Sequence, residues 1–309
     1  GLSGVAKDLA KMSSKSAVKL LAPEENAGLF RWVALLTGSK NAVKGLGFLL
    51  GAIALGLIGF VPSVLGMAAI LFVVLIVLLF RMPAGLPTGT KGAKFKEVFS
   101  KDRNVNWLSL ARVFLFGARD VWFVVGIPIY FYSVLSDGTP EGNRAAFFLV
   151  GTFMAIWVIL YGAVQASAPQ LLRAKEKTQA QIIGEARFWV GALFFVPLAL
   201  AIAAYVAGAP ALWLTITVVV GLLAFGALFA LNSSLHSYLI LAFTSAERVT
   251  MDVGFYYMAN AAGRLLGTLL SGLTFQLGGL PLCLGMAAAM IALSWLSIGN
   301  LTKANLSQS

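Results

Sequence analysis

The sequence contains one cysteine, Cys283, and one histidine, His236, in 309 residues. A single cysteine excludes an intrachain disulfide and a thiolate metal cluster, and a single histidine removes most metal-site and acid/base chemistry. Charged residues are scarce as well, at 11% of the chain, whereas about a quarter is ordinary for a soluble domain. No glycine-rich phosphate-binding loop is present, which argues against direct use of ATP. We therefore expect neither a metal nor another cofactor.

What the sequence does contain is apolar residues, at 59% of the chain. Its few charges are too few to coat a soluble protein of this length, so the composition indicates an all-α, polytopic membrane protein surrounded by a lipid bilayer. A net charge of +11 would suggest nucleic acid for a soluble chain. Here the basic residues lie in loops between long apolar runs, so we expect no nucleic-acid partner.

Apolar runs long enough to cross a bilayer as helices number eight by the criterion of about 20 residues each. They lie at 38–60, 62–80, 105–134, 146–167, 188–207, 211–232, 251–277 and 279–300. Residues 1–22 are too polar to span alone and have the character of the end of a helix whose start is missing. The prediction is an N-terminally truncated chain with eight complete spans plus part of one.

The basic, Pro- and Gly-containing segment 81–104 divides these spans into two groups. We predict that 1–80 is the remainder of an N-terminal helical bundle, that 81–104 is a basic cytoplasmic linker, and that 105–309 is a C-terminal six-helix bundle. The loops that alternate with the basic ones, near 61, 135–145, 208–210 and 278, hold only Arg144. By the positive-inside rule, the basic loops and the C-terminus should be cytoplasmic, in the inner (plasma) membrane.

A repeat occurs at an offset of 220 residues. Segment 12–22 matches 232–242, and 44–51 matches 264–271 without a gap, with Lys44 opposite Arg264. Chance similarity among Leu-, Gly- and Ala-rich helices is the alternative. A true repeat is typical of major-facilitator carriers, whose solute site lies between two bundles near mid-membrane.

Charged side chains inside predicted spans are functional candidates because burying a charge in lipid is costly. Arg112, Arg119 and Asp120 lie in the span at 105–134, and Arg112 and Arg119, seven residues apart, share one helix face. Together with Arg264 and Lys44, the two arginines would suit an anionic small-molecule substrate, because guanidinium binds oxyanions bidentately. Arg112 and Lys44 could instead snorkel to the headgroups. Asp120 would either neutralise a neighbouring arginine or couple transport to protons.

Other features have mainly structural interpretations. Gly-xxx-Gly motifs at 47–51 and 263–267 permit close helix approach. Pro128 should kink its span. His236 is placed at a cytoplasmic helix end, where a hydrogen-bonded structural role is the default.

Four segments resemble a known family, namely 4–21, 31–51, 94–125 and 260–273, and FLFGARDVWFVV within the third is the most specific. They resemble the organoarsenical efflux permease of the major facilitator superfamily over essentially the whole chain. The resemblance implies export of 1-arseno-3-phosphoglycerate, which a partner glyceraldehyde-3-phosphate dehydrogenase makes from arsenate, and hence arsenate resistance. It supplies no binding residues, so the site residues above come from charge placement alone.

Two other functions remain open at this stage. One is a major-facilitator efflux carrier for another organic anion or drug, which would not depend on the dehydrogenase. The other is an integral membrane enzyme, against which the single histidine, the single cysteine and the few intramembrane carboxylates argue.

Overall fold

The computed structural model describes residues 26–81, 100–245 and 247–302, and every regular element within these ranges is helical. Segment 1–22 and most of 81–104 lie outside the described residues, as does the first copy of the 12–22 repeat, so those predictions stay predictions. The helices are α1 (Asn26–Ile58), α2 (Phe60–Arg81), α3 (Arg103–Val121), a π-helical turn (Trp122–Gly126), α4 (Ile127–Leu135), α5 (Pro140–Leu171), a 3₁₀ turn (Ala174–Glu176), α6 (Gln179–Ala207), α7 (Leu212–Phe243) and α8 (Val249–Gly299).

The helices extend beyond the apolar runs that predicted them. α5 covers Pro140–Leu171, where the sequence predicts a span at 146–167, and α7 continues to Phe243, past the predicted end at 232. An apolar run marks only what fits the bilayer core, whereas backbone hydrogen bonding continues through polar residues. In α7 the extension matters, because its side chains from Ser233 to Leu241 are buried.

Glycines interrupt the helices at the predicted boundaries. α8 contains non-helical backbone at Gly278 and at Gly279, and Gly279 has φ 60°, a left-handed value that glycine adopts without a Cβ penalty. This break separates α8a (249–277) from α8b (280–299). Gly208, with φ 66°, likewise ends α6.

Six helices in the described part of the chain are long and apolar enough to cross a membrane: α2, the continuous Arg103–Leu135 stretch, α5, α6, α7 and α8. α2 has no buried residue, so its apolar side chains would face lipid. The chain is therefore a multi-pass membrane protein. Because α1 is not among the six and α8 contains a break, the count of eight spans stays a prediction.

Close contacts give the directions of the helices around α3. Gly263 of α8a meets Val113 of α3, and Gly267 meets Gly117 four residues further along both helices, so α8a runs parallel to α3. On α8b, the Ser294 hydroxyl donates to the carbonyl oxygen of Ala111 at 2.9 Å. Since Cys283, earlier in α8b, lies beside Gly126, later along the α3–α4 stretch, α8b runs antiparallel to it.

α1 packs along α5 in the antiparallel direction. Gly38 lies against Gly162 and Ala166, and Gly45 lies against Ala155 and Ile159. The described part of the predicted N-terminal bundle therefore contacts the predicted C-terminal bundle through this helix pair.

The turn before α5 is held by local hydrogen bonds. Thr139 caps the helix by accepting from the Gly142 N–H at 3.0 Å. The Thr139 hydroxyl and backbone N–H both donate to Asp137 Oδ1, at 2.7 and 2.9 Å. These two donors stabilise the carboxylate and hold the pKa of Asp137 below its ordinary value.

Candidate functional site

An ion-pair cluster joins α3 to α8a through the carboxylate of Asp120. Arg119 Nε donates to Asp120 Oδ1 at 2.7 Å, and Arg264 Nε donates to Asp120 Oδ2 at 2.9 Å. The Asp120 side chain is 1% exposed, the Arg119 side chain 13% and the Arg264 side chain 46%. We call these three residues the mid-membrane cluster. It carries one positive charge in excess and presents it chiefly through Arg264.

The mid-membrane cluster is named for its position near the middle of the membrane-spanning helices. Arg119 and Asp120 lie near the middle of the 33-residue apolar stretch Arg103–Leu135. The charge of Arg264 lies at the same level, because its Nε donates to the carboxylate of Asp120. All three charges therefore lie near the level of the bilayer centre, where ionisable side chains mark solute or ion pathways.

Arg112 is buried, with only 4% of its surface exposed, and does not snorkel toward an interface. Its Nε donates to Asn260 Oδ1 and its Nη1 donates to Ser233 Oγ, each at 3.2 Å. Its guanidinium carbon lies 3.7 Å from the ring centroid of Phe116 and 4.9 Å from that of Tyr256. Aromatic faces attract a cation, so Arg112 is held in place by two rings and two neutral polar groups.

Phe116 contacts both Arg112 and Arg119, so the two arginines lie on the same side of α3. The guanidinium carbon of Arg119 lies 5.0 Å from the Phe116 centroid, so both cations lie against one ring. Their predicted position on one helix face is thus confirmed, and Phe116 belongs to the site although its apolar character gave no sign of it.

α7 contributes a buried polar stretch, residues 232–237, next to Arg112. Ser233 Oγ accepts a second hydrogen bond, from Gln165 Nε2 of α5 at 3.1 Å. His236 is fully buried inside α7, and neither of its ring nitrogens has a hydrogen-bond partner among the described residues. The placement of His236 as a hydrogen-bonded side chain at a helix end was therefore wrong. Five polar residues are 0% exposed in this stretch: Asn232, Ser233, Ser234, His236 and Ser237.

Small residues bring α3 and α8a close enough for these contacts. A Cβ added at Gly263 or Gly267 would overlap the backbone of Val113 or Gly117, which confirms the predicted close approach at 263–267. The motif at 47–51 behaves differently: Gly47 and Gly51 have no atom of a described residue within 4 Å of where a Cβ would stand. Close packing through that motif stays a prediction.

The distortion predicted at Pro128 takes the form of a π-helical turn at Trp122–Gly126, just before the proline. Proline has no backbone N–H and clashes with the preceding turn, so the regular ladder is interrupted there. The Val125 N–H donates to Ser271 Oγ of α8a at 3.1 Å. Such turns are frequent at functional sites, and this one follows directly after the mid-membrane cluster.

Lys44 lies exposed on α1, and its neighbour Gly45 packs against α5. The expectation that Lys44 faces the same space as the three arginines stays a prediction, as does its role in substrate binding.

A solved structure described as a bacterial homologue of the iron transporter ferroportin in the outward-facing state is similar to this chain. The similarity has a TM-score of 0.64 at 16% sequence identity and covers 94% of this chain and 68% of the solved one. The described chain therefore shares its fold with that solved membrane transporter. No protein-family model and no curated protein sequence matches the chain.

At 16% identity the similarity extends to the fold alone. The helical, multi-pass architecture agrees with the one that the sequence predicts.

Proposed function

We propose that this chain is a secondary active transporter of the major-facilitator type that exports an anionic organoarsenical, 1-arseno-3-phosphoglycerate, and so gives arsenate resistance. The observation that carries the proposal is the mid-membrane cluster, which places excess positive charge where a carrier binds its solute. The sequence resemblance supplies the identity of the solute, and the functional partner is then a glyceraldehyde-3-phosphate dehydrogenase.

The geometry of the mid-membrane cluster suits reversible binding of an oxyanion. Arg119 directs both its Nε and its Nη2 at Asp120, so these two donors are not available to a solute. Arg264 directs only Nε at Asp120 in the described hydrogen bonds and is 46% exposed. Its remaining N–H groups can therefore receive a phosphate or arsenate oxygen bidentately. An anion that binds Arg264 must compete with Asp120 for it. The cluster stays cationic, and the competition keeps anion binding reversible.

Asp120 is the residue we propose for energy coupling, because its carboxylate contacts both cations that an anion would use. When an anion takes Arg264, the Asp120 carboxylate loses one of its two cationic partners, so anion binding changes the charge around this residue. In everted vesicles, Asp120→Asn should make export insensitive to collapse of the pH gradient. Export by this variant that still stops when the gradient collapses would assign coupling elsewhere.

Iron, which the name of the solved neighbour mentions, finds no support in this site. Among the described residues, no group of three or more His, Cys, Asp or Glu side chains could hold a metal ion. The excess charge of the mid-membrane cluster is positive, which repels a metal cation. Another organic anion would suit the cluster equally well, and the dehydrogenase requirement separates that candidate from the organoarsenical.

The test is arsenate resistance of cells that lack other arsenic efflux, with and without the dehydrogenase, using the full-length protein. Arg119→Gln and Arg264→Gln should each abolish or severely weaken resistance while the protein still reaches the membrane. Arg103→Gln, an exposed arginine at the start of α3, is the matched control and should keep wild-type resistance. Cys283→Ser should also keep resistance, because an oxyanion ester needs no thiolate.

Three outcomes would contradict parts of this proposal. Normal resistance in both Arg119→Gln and Arg264→Gln would remove the mid-membrane cluster from the site. Resistance without the dehydrogenase would point to a different solute. Loss of resistance in well-expressed Cys283→Ser would mean that arsenic is bound by the thiol.

A further inference from the structure

Arg112 is a buried cation whose described hydrogen bonds all go to neutral groups. Asn260 and Ser233 accept from it, and no described ion pair includes it. With 4% of its surface exposed, it has little water to compensate. A buried charge without a counter-charge is costly, and removing the partner of such a charge is strongly destabilising. The described residues therefore give Arg112 no counter-charge, which a bound anion would supply.

His236 supplies a second, independent sign of a ligand at the same place. It is 0% exposed, and neither ring nitrogen has a hydrogen-bond partner among the described residues. It follows Ser233, which accepts from Arg112, by three residues on α7, and this spacing puts both side chains on one face of the helix. An imidazole always carries at least one N–H, and here that donor awaits an acceptor.

The spacing along α3 separates this place from the mid-membrane cluster. Arg112 and Arg119 are seven residues apart, which is about 10 Å along a helix axis. The ring of Phe116 lies against both guanidinium groups, but Arg119 already directs two donors at Asp120. A small oxyanion held by Arg264 therefore leaves Arg112 without an anion, whereas an elongated molecule with an anionic group at each end can occupy both places.

We propose that Arg112, His236, Ser233 and Asn260 form a second oxyanion subsite, here named the Arg112 subsite, so that the carrier selects elongated anions bearing two oxyanion groups. The inference rests on the proposed function in requiring that the solute be an anion. One group binds the mid-membrane cluster and the other binds the Arg112 subsite. The subsite is enclosed in this conformation, and rearrangement of the bundles during alternating access opens it.

The first experiment measures ligand selectivity of the purified full-length protein. The probes are 3-phosphoglycerate, which has a carboxylate and a phosphate, and glycerol 3-phosphate, which has the phosphate alone. The wild type should bind 3-phosphoglycerate about tenfold or more tightly, since a charge-assisted contact contributes on this scale. In Arg112→Gln and His236→Leu the two probes should bind about equally. His236→Gln keeps an N–H donor and should recover part of the preference.

The second experiment separates a binding role from a structural one by thermal unfolding in detergent. Arg112→Gln should unfold at the wild-type temperature or above it without ligand, because the change removes an uncompensated buried cation. It should also lose the rise in unfolding temperature that 3-phosphoglycerate gives the wild type. A lower unliganded unfolding temperature with the ligand-induced rise intact would make Arg112 a structural residue and overturn the inference.

The outcomes distinguish this inference from the proposed function. A selective wild type whose preference collapses in the variants, in a protein that gives no arsenate resistance, would uphold the subsite and reject the organoarsenical. Resistance that depends on Arg119 and Arg264, in a protein that binds the two probes equally or binds neither, would uphold the proposed function and reject the second subsite.

Discussion

Most of what the sequence predicts about the site comes from single charged residues. Arg112, Arg119, Asp120 and Arg264 stand out because charge is rare inside an apolar run. Pairing of Asp120 with a neighbouring arginine was one of the two alternatives for that residue, and Arg119 provides it. The contact with Arg264 could not be predicted, because it depends on the register of α3 against α8a. Uncharged partners such as Asn260 could not be predicted either, since a single amide in a helix is compatible with many structural roles.

The first prediction concerns Asp120, whose carboxylate separates two arginines. Asp120→Asn should destabilise the protein by about 3 kcal/mol, the lower end for breaking a buried ion pair, because Arg264 is half exposed and partly solvated. Chemical denaturation of the full-length protein in detergent measures this. Glu247→Gln, at an exposed position, is the control and should change stability by no more than about 0.5 kcal/mol.

A double-mutant cycle makes the prediction for Asp120 sharper. Adding Arg264→Gln to Asp120→Asn should cost clearly less than the sum of the two single changes, because the double variant no longer leaves that cation unpaired. Additive effects would show that the contact between these two side chains contributes nothing.

At the scale of helices, the sequence located the elements but misjudged where polar residues belong. The predicted span at 211–232, which corresponds to α7, ends at 232 because hydropathy falls there: the segment 232–237 has five polar residues in six. In the structure those polar side chains are buried against α3, α5 and α8a rather than exposed beyond a helix end. A hydropathy criterion cannot tell a polar helix end from a polar site, because both lower the average in the same way.

Glycine motifs show a similar limit. The motif at 263–267 forms a close contact and the one at 47–51 forms none among the described residues, although both have the same spacing. Small residues permit close approach, but the partner helix must be supplied by the fold.

This difference provides the second prediction with its own control. Gly263→Leu should separate α3 from α8a, because even a Cβ at this position overlaps the Val113 backbone. Overpacking of this kind costs about 1–3 kcal/mol or more, and it should weaken transport by pulling Arg264 away from Asp120. Unfolding and vesicle transport of the full-length protein measure the two effects.

Gly47→Leu is the matched change, since no described atom lies near the position of its Cβ. Its stability should stay within about 0.5 kcal/mol of the wild type. Equal damage from Gly47→Leu and Gly263→Leu would mean that the loss reflects glycine in a helix in general and not the α3–α8a contact.

For the whole molecule, the class and broad architecture followed from composition and from the spacing of apolar runs. The transporter fold confirms that much. The contact of α1 with α5 could not be foreseen, because it joins segments more than a hundred residues apart through small residues that are common in every helix here. Long-range registers of this kind are the part of a helical membrane fold that single-sequence patterns leave undetermined.

The last prediction concerns how the whole chain lies in the membrane. The contacts alternate in direction along the chain, so the connection at 172–178 and the end of α8b at 299 lie at one end of the helices, and the turn at 136–139 lies at the other. Arg187 near the start of α6 donates to the carbonyl oxygen of Gly299 at 2.7 Å, which places those two ends together. Lys and Arg concentrate in the loops at that end, while Arg144 is their sole counterpart in the alternate loops. The positive-inside rule therefore assigns the basic end to the cytoplasm.

Reporter fusions to the full-length protein test that assignment. A fluorescent reporter that matures only in the cytoplasm should be bright in the 168–187 loop and after Lys303, and dark near Asp137. An alkaline phosphatase that is active only outside should give the reverse pattern at the same three positions. Because the Arg187–Gly299 contact ties the first two positions to one end, opposite results from them would contradict the helix directions themselves. A consistent reversal at all three would leave the fold intact and overturn only the charge-based orientation.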